Sequence, residues 1–441
     1  MRFDLRLAGF ACAMMIAAPA DAVDDSGFVD WARANAVEFP ACDNLSQPPA
    51  LEALATTVGD ARIVALGEPT HGAHEPLAFR NCLFRYLVEE QGFTAIALET
   101  GLNESRRLYD YAAGGEGEAR DVARRGFTWG FWRYPQNIEL LDWIRRYNLD
   151  PAHPRKIRLY GIDLSGGDSS GLWKNARATI DDSLAYLSHA APDQSGRVRR
   201  GVQPFLHRFD VPGYSAMPAG DRARLRSAIA DLIAFFDRNR RSLVAASSQA
   251  DFDWARQNAV GARQLAALFD VSGLPNADGT LSPGDYRADA ARDAAMAANA
   301  GWALEREGPQ GRILVFAHNG HVMNARTRGG IWSVYAQAPA AMGEHLRAGL
   351  GRQLLIMAIS GGSTRPETSR PPKSASLDAA LARVGPEHFL IDFRRAGKAT
   401  PAANWLAQTQ SLRVNSDTEN LVVPAAAFDA MLYFHRLTPA T

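Results

Sequence analysis

The sequence predicts an α/β fold: a mostly parallel central sheet flanked by helices, with a helical insertion between the N- and C-terminal parts of the sheet. Three observations carry that reading. Apolar runs beginning at Ile63, Phe93 and Lys156 each end in an acidic residue (Glu68, Glu99 and Asp163), with helical patterns between them. From Leu172 to about Asn299 no strand signal occurs. Apolar runs then return at Arg312 to Ala317, Gln353 to Ile359, Phe389 to Phe393 and Ala430 to His435.

The chain opens on a targeting pattern. Arg2 and Arg6 flank the start, Leu7 to Pro19 is a short apolar run, and Ala20-Asp21-Ala22 fits a cleavage site. Residues 1–22 are therefore expected to be a cleaved signal peptide, and 23–441 the exported, periplasmic or secreted bacterial protein. Cys12 falls in the discarded peptide. Cys42 and Cys82 remain; an oxidising compartment permits their pairing, and a buried free Cys82 is the alternative. No stretch is long and apolar enough to span a bilayer.

Residues 26 to 60 read as a helical lead-in. Ile63-Val64-Ala65-Leu66 is the first buried strand, and Gly67-Glu68-Pro69-Thr70-His71-Gly72-Ala73-His74-Glu75 follows at its carboxyl end. Ligand crevices of open α/β sheets lie at that edge. A carboxylate three residues before an imidazole there makes an oriented general base or half a metal site. The second strand, Phe93 to Glu99, completes a βαβ unit, so its strand is parallel to the first and adjacent or nearly so. Glu68 and Glu99 then meet at one edge.

Trp129, Phe131, Trp132 and Tyr134 form an aromatic loop that serves either as pocket lining or as core, before an amphipathic helix through Ile138, Leu141 and Ile144. The third strand ends at Asp163. Gly167-Asp168-Ser169-Ser170-Gly171 matches G-x-S-x-G, but Leu164-Ser165-Gly166 intervene after the strand, where a nucleophile elbow needs a direct strand-to-helix turn. A flexible loop is the expected reading.

Residues 172–299 form the helical insertion, placed to act as a lid over the sheet's ligand edge. Its last helix carries Arg292 and Asp293, either a surface pair or, through Arg292, a clamp for a carboxylate or oxyanion. Arg312 to Ala317 runs into His318-Asn319-Gly320-His321, repeating the opening logic of an apolar strand followed by imidazoles and glycine.

Gly67-Glu68-x-Thr70-His71-Gly72 with Glu75, Ala97-Leu98-Glu99, Asn103-Glu104 and the region from Trp132 to Asn148 resemble the erythromycin esterase family. Tyr160-Gly161-x-Asp163, Arg292-Asp293-x-x-Met296-Ala297-x-Asn299, His318-Asn319-x-His321 and Met342-Gly343 continue the resemblance in the same order, from about residue 50 to the C-terminus. It implies a hydrolase of a carboxylic ester or lactone, macrolide-like or otherwise hydrophobic, in which a histidine activates water with no covalent intermediate and no cofactor or metal. By motif, His71 is that base, Glu68 and Glu99 orient it and the water, and Arg292 and His318 complete the catalytic set. His321, His74, Asn103, Trp132 and Asp163 are the expected substrate contacts. Ester hydrolysis needs donors for the tetrahedral oxyanion, here Arg292 or a protonated His318. Pro69 departs from the small residue usual in the family's motif.

Three rivals stand beside this reading: zinc-assisted hydrolysis by the same His/Glu cluster, a serine hydrolase using Ser169, and a non-catalytic periplasmic binding or polysaccharide-assembly factor. With 48 Lys+Arg against 48 Asp+Glu, the charge balance points to neither nucleic acid nor an anionic membrane. Hydrophobic content of 46% with 22% charged residues is that of a globular protein. The expected partner is a small-molecule ester or lactone, and the oligomeric state is not specified by the sequence.

Overall fold

Among the described residues, each apolar run read as a strand becomes one. The computed structural model describes residues 24–40, 48–168, 170, 172–272, 286–335, 337–362, 376–414 and 418–440. The expected signal peptide, Cys42 and Ser169 lie outside them. The early strands are β1 (Val37–Glu38), β2 (Ile63–Glu68), β3 (Ala95–Gly101) and β4 (Arg158–Asp163). The later ones are β5 (Ile313–His318), β6 (Leu354–Gly361), β7 (His388–Asp392), β8 (Gln410–Val414), β9 (Thr418–Val422) and β10 (Ala430–Phe434).

Among the described residues eight of these form one sheet, ordered β1-β7-β10-β6-β2-β5-β3-β4, while β8 and β9 pair as a separate antiparallel hairpin. The six strands from β10 to β4 run parallel; β7 is antiparallel to β10, and β1 to β7. β2 and β3 are parallel neighbours at one remove, because β5 enters between them from far along the chain. Succession therefore reverses beside β2: β3 and β4 lie on one side and β6 on the other, and such a switch point opens a crevice at the strands' carboxyl ends.

Period-two alternation splits each central strand between two cores. Ile63, Ala65, Ile313 and Val315 face one layer, with Met296 and Ala300 of the helix Tyr286–Arg306. Val64, Leu66, Leu314 and Phe316 face the other, under the helices His74–Gln91 and Pro135–Leu149. Between β4 and β5 the described chain is helical and has its own core around Leu225, Ile229, Phe236, Phe252 and Phe269. That core begins at Leu164 and Trp173, immediately after β4.

Cys82 is disulfide-bonded, which overturns the alternative of a free thiol; its partner lies outside the described residues.

Candidate active site

Four strands deliver one titratable group each to the same edge. Glu68 ends β2, His318 ends β5, Asp163 ends β4, and Glu99 lies near the end of β3. Glu68 and His318 are register partners across the parallel pair β2–β5. Glu99 falls where the β3–β4 register shifts, between Leu98 and Gly101, an irregularity of the kind that re-aims side chains beside sites. Beyond β2 the chain turns through Gly72 at φ +77°, and His71 comes back over the strand end.

His71 Nδ1 lies 2.7 Å from Glu68 Oε1. Its other nitrogen, Nε2, stands 3.9 Å from Glu99 Oε1, beyond hydrogen-bond reach. The same Glu99 oxygen accepts from Arg292 Nη2 at 2.9 Å and lies 3.4 Å from His321 Nε2. Glu99 Oε2 accepts the His318 backbone N–H at 2.8 Å. Arg292 also donates through Nε and Nη2 to the two oxygens of Asp163, at 3.0 and 2.7 Å. His321 Nδ1 meets Asp293 Oδ1 at 2.8 Å, and Asp293 in turn accepts the Met342 N–H. Glu99 is the hub.

These contacts set the charges. Burial raises the Glu99 carboxyl, but His321, His71 and Arg292 outweigh it and hold Glu99 well below the usual carboxylate range. Burial also depresses His71, yet Glu99 and Glu68 leave it above an ordinary imidazole. His321 resists burial through Asp293 and Glu99 and is pushed up to about 10, so it is an imidazolium at neutral pH. His318 is driven down to about 3 by burial and by the neighbouring His71. Its Nδ1 accepts the Gly320 N–H at 3.2 Å and its Nε2 faces the Pro69 carbonyl at 3.2 Å, which selects the neutral Nε2–H tautomer. The expected role of a protonated His318 as oxyanion donor is therefore corrected. The charged donor on that loop is His321.

The other expected contacts divide. Asp163 is fully buried under Arg292 as a support, without a surface for substrate. His74 pairs with Gln136 Nε2 at 2.7 Å and lines a separate cavity of about 480 Å³ with Arg85, Trp143 and Arg146. Asn103 is buried, bonding Asp182 at 2.7 Å and Ser165. Trp132 packs against the Arg133 guanidinium; the aromatic ring at His71 is Phe131, 5.0 Å away. His74, Asn103 and Trp132 thus stand apart from the cluster, because helix and loop direction turn their side chains elsewhere.

Sequence reasoning passed over Arg80 and underrated Asp293. Arg80 is buried against Phe316, donates to Asn137 Oδ1 at 2.8 Å, and places its charge beneath Glu68. Asp289, Arg292, Asp293 and Met296 recur at helical spacing, and that face was the signal available for Asp293. Among the described residues no group of three or more His, Cys, Asp or Glu side chains is arranged to hold a metal ion, and no helix is long and apolar enough to cross a membrane.

Residues 88–437 match the family described as Erythromycin esterase. The chain belongs to the erythromycin esterase family. It is 21% identical to the erythromycin esterase type II of Escherichia coli over 403 residues, 86% of this chain and 90% of that one. Identity with the type I enzyme of Escherichia coli is 27% over 334 residues, covering 73% and 76%. Among solved structures, a succinoglycan biosynthesis protein superposes with a TM-score of 0.75 at 20% identity, covering 93% of this chain and 97% of that one. A mutant of the erythromycin esterase EreC in its open conformation gives 0.66 at 17%, covering 92% and 98%. Family membership makes the chain a hydrolase by relationship, and the structural likeness establishes the α/β fold.

Proposed function

We propose that the chain hydrolyses a carboxylic ester or lactone of a small, hydrophobic molecule, using water activated by His71. The observation that carries this is the pair of faces on one imidazole. Nδ1 is bound to Glu68 at 2.7 Å, while Nε2 is left facing Glu99 across 3.9 Å, a gap that a water can bridge. A water there gives a proton to Nε2 as its oxygen bonds to the carbonyl carbon, and the carbonyl electron pair moves to oxygen. The His321 imidazolium, whose Nε2 lies 3.4 Å from the same Glu99 oxygen, supplies the charged donor for that oxyanion. Collapse re-forms the carbonyl and breaks the acyl C–O bond; His71 returns its proton to the leaving alkoxide. Arg292 is committed to Glu99 and Asp163, so its part is to hold the hub in place.

The names of the relatives, erythromycin esterases and a succinoglycan biosynthesis protein, support a macrolide lactone or an acylated saccharide as first substrates to try. Residues 172–299 are read as the helical insertion that walls and covers the site. Export to an oxidising compartment is part of the same proposal; the N-terminal pattern and the half-cystine at Cys82 support it. N-terminal sequencing of protein recovered from the periplasm tests that part.

The activity test incubates macrolides, other lactones and simple esters with the protein and with His71→Ala, followed by mass spectrometry. A product heavier by one water, or cleaved at the ester, with the unaltered protein alone is the expected result. Equal turnover by His71→Ala removes His71 as the base. Ligand bound and released unchanged by both moves the protein to a binding role.

A further inference from the structure

Two tryptophans hold the left-handed backbone that bulky residues avoid: Trp129 at φ +57° and Trp173 at φ +56°. Such conformations persist where the surroundings over-determine them, and they concentrate at sites. At Trp129 hydrogen bonds on both sides of the turn do this. Thr128, one residue earlier, is clamped to the end of β3: its N–H donates to Thr100 Oγ1 at 2.8 Å, and its Oγ1 accepts the Gly101 N–H at 3.0 Å. Both partners follow Glu99 directly, so the turn is anchored on the strand that carries the hub.

From that anchor the strained backbone turns the indole inward. Its Nε1–H donates at 2.8 Å to Asp163 Oδ2, the oxygen that also accepts Arg292 Nη2 at 2.7 Å. The ring lies 5.2 Å from the Arg292 guanidinium carbon, within cation–π range. Gly167 makes room for it: a Cβ there would lie 2.5 Å from the indole. On the other side, Trp173 meets Trp129 edge to face, with ring centres 5.6 Å apart and planes at 90°. Trp173 is buried in the core of the helical segment that follows β4.

We propose that Trp129 is a positioning residue: its indole aligns the Arg292–Asp163 pair against Glu99, and its contact with Trp173 ties that alignment to the packing of the helical segment. A packing indole could satisfy its N–H on any acceptor; this one shares the carboxylate oxygen that Arg292 uses, which couples the two. The consequence for turnover rests on the ester-hydrolysis reading above; the alignment itself does not.

The test has two arms for that reason. In substrate-free protein, NMR titration of the imidazoles of His71 and His321 reports where the Arg292 charge sits, because loss of a nearby positive charge raises an imidazole. Arg292→Ala is the reference for complete loss. Trp129→Ala is expected to move both histidines in the direction of Arg292→Ala. Trp129→Phe, which keeps an aromatic ring and loses the N–H, and Trp173→Phe, which keeps an aromatic ring in the helical core, are expected to move them less. Histidines unmoved in Trp129→Ala, with Arg292→Ala shifting them, overturn the proposal. Should Trp129→Ala fail to fold, Trp129→Phe carries the same decision on the N–H alone. In the second arm, on any ester that the unaltered protein hydrolyses, Trp129→Ala lowers kcat by about 10²-fold with KM little changed. A rise in KM with kcat unchanged means that Trp129 only binds substrate. A failure of the esterase reading leaves the first arm standing.

Discussion

His318 and His321 lie three residues apart with ring centres separated by 6.5 Å, yet one is neutral and the other a cation. His318 has no carboxylate on its ring and is driven to about 3; His321 has Asp293 on Nδ1 and Glu99 near Nε2 and is held at about 10. One loop thus supplies a neutral structural imidazole and a charged donor.

This difference predicts different losses. His321→Gln removes the oxyanion's charged donor and lowers kcat by about 10²- to 10³-fold, and it lowers the melting temperature at neutral pH because the buried Asp293 and Glu99 lose a cation. His318→Ala leaves the Pro69 carbonyl and the Gly320 N–H without a side-chain partner inside the fold. It costs about 1–3 kcal/mol of stability, read as a lower urea midpoint. Equal effects of the two changes on kcat would contradict the assignment.

The rate should follow two titrations. A base must be neutral to accept a proton, so kcat/KM rises with pH through the His71 value, which lies above the ordinary 6.5. It falls again as His321 loses its proton near pH 10. Glu68→Gln keeps the hydrogen-bonding shape but removes a negative charge that raises His71, so the ascending limb moves to lower pH. A limb that stays in place would separate Glu68 from His71.

Stability should carry the same signature. His321 binds its proton more tightly folded than unfolded, so its contribution is fully present below about pH 6.5 and is lost as pH rises towards about 10. The melting temperature is expected to fall over that window, and to fall less in His321→Gln. Glu99 acts in the opposite sense: its depressed carboxyl stabilises above the ordinary carboxylate value of 4.5, and that contribution is lost in stronger acid.

Reduction offers a separate check. Opening the Cys82 disulfide with a thiol reductant should cost about 2–5 kcal/mol, the usual range for a native bridge. Because Cys82 is on the helix that begins three residues after His71, activity is expected to be lost at a lower temperature in the reduced protein. Unchanged denaturation midpoints would remove the bridge from the stability of this helix.

Local pattern was enough for much of this. Apolar runs ending in Glu68, Glu99, Asp163 and His318 declared strands and their carboxyl ends, because a buried strand must be apolar and its side chains alternate. The strand-free stretch beginning at Leu172 was legible as helix for the same periodic reason. The short β1 and the β8–β9 hairpin were not: two residues cannot show alternation, and the hairpin, outside the main sheet, has no continuous apolar run.

What sequence could not decide is which groups share an oxygen. The insertion of β5 between β2 and β3 puts His318 beside Glu68, and the irregularity in β3 turns Glu99 to the centre. Pairing over 200 residues of separation leaves no local trace in either segment. The split between His318 and His321 is likewise tertiary: both lie at the end of the same strand, and Asp293, brought in by the helix Tyr286–Arg306, together with Glu99 makes one a cation. Residue type is local chemistry, whereas charge state depends on burial and neighbours, and those exist only once the chain has folded.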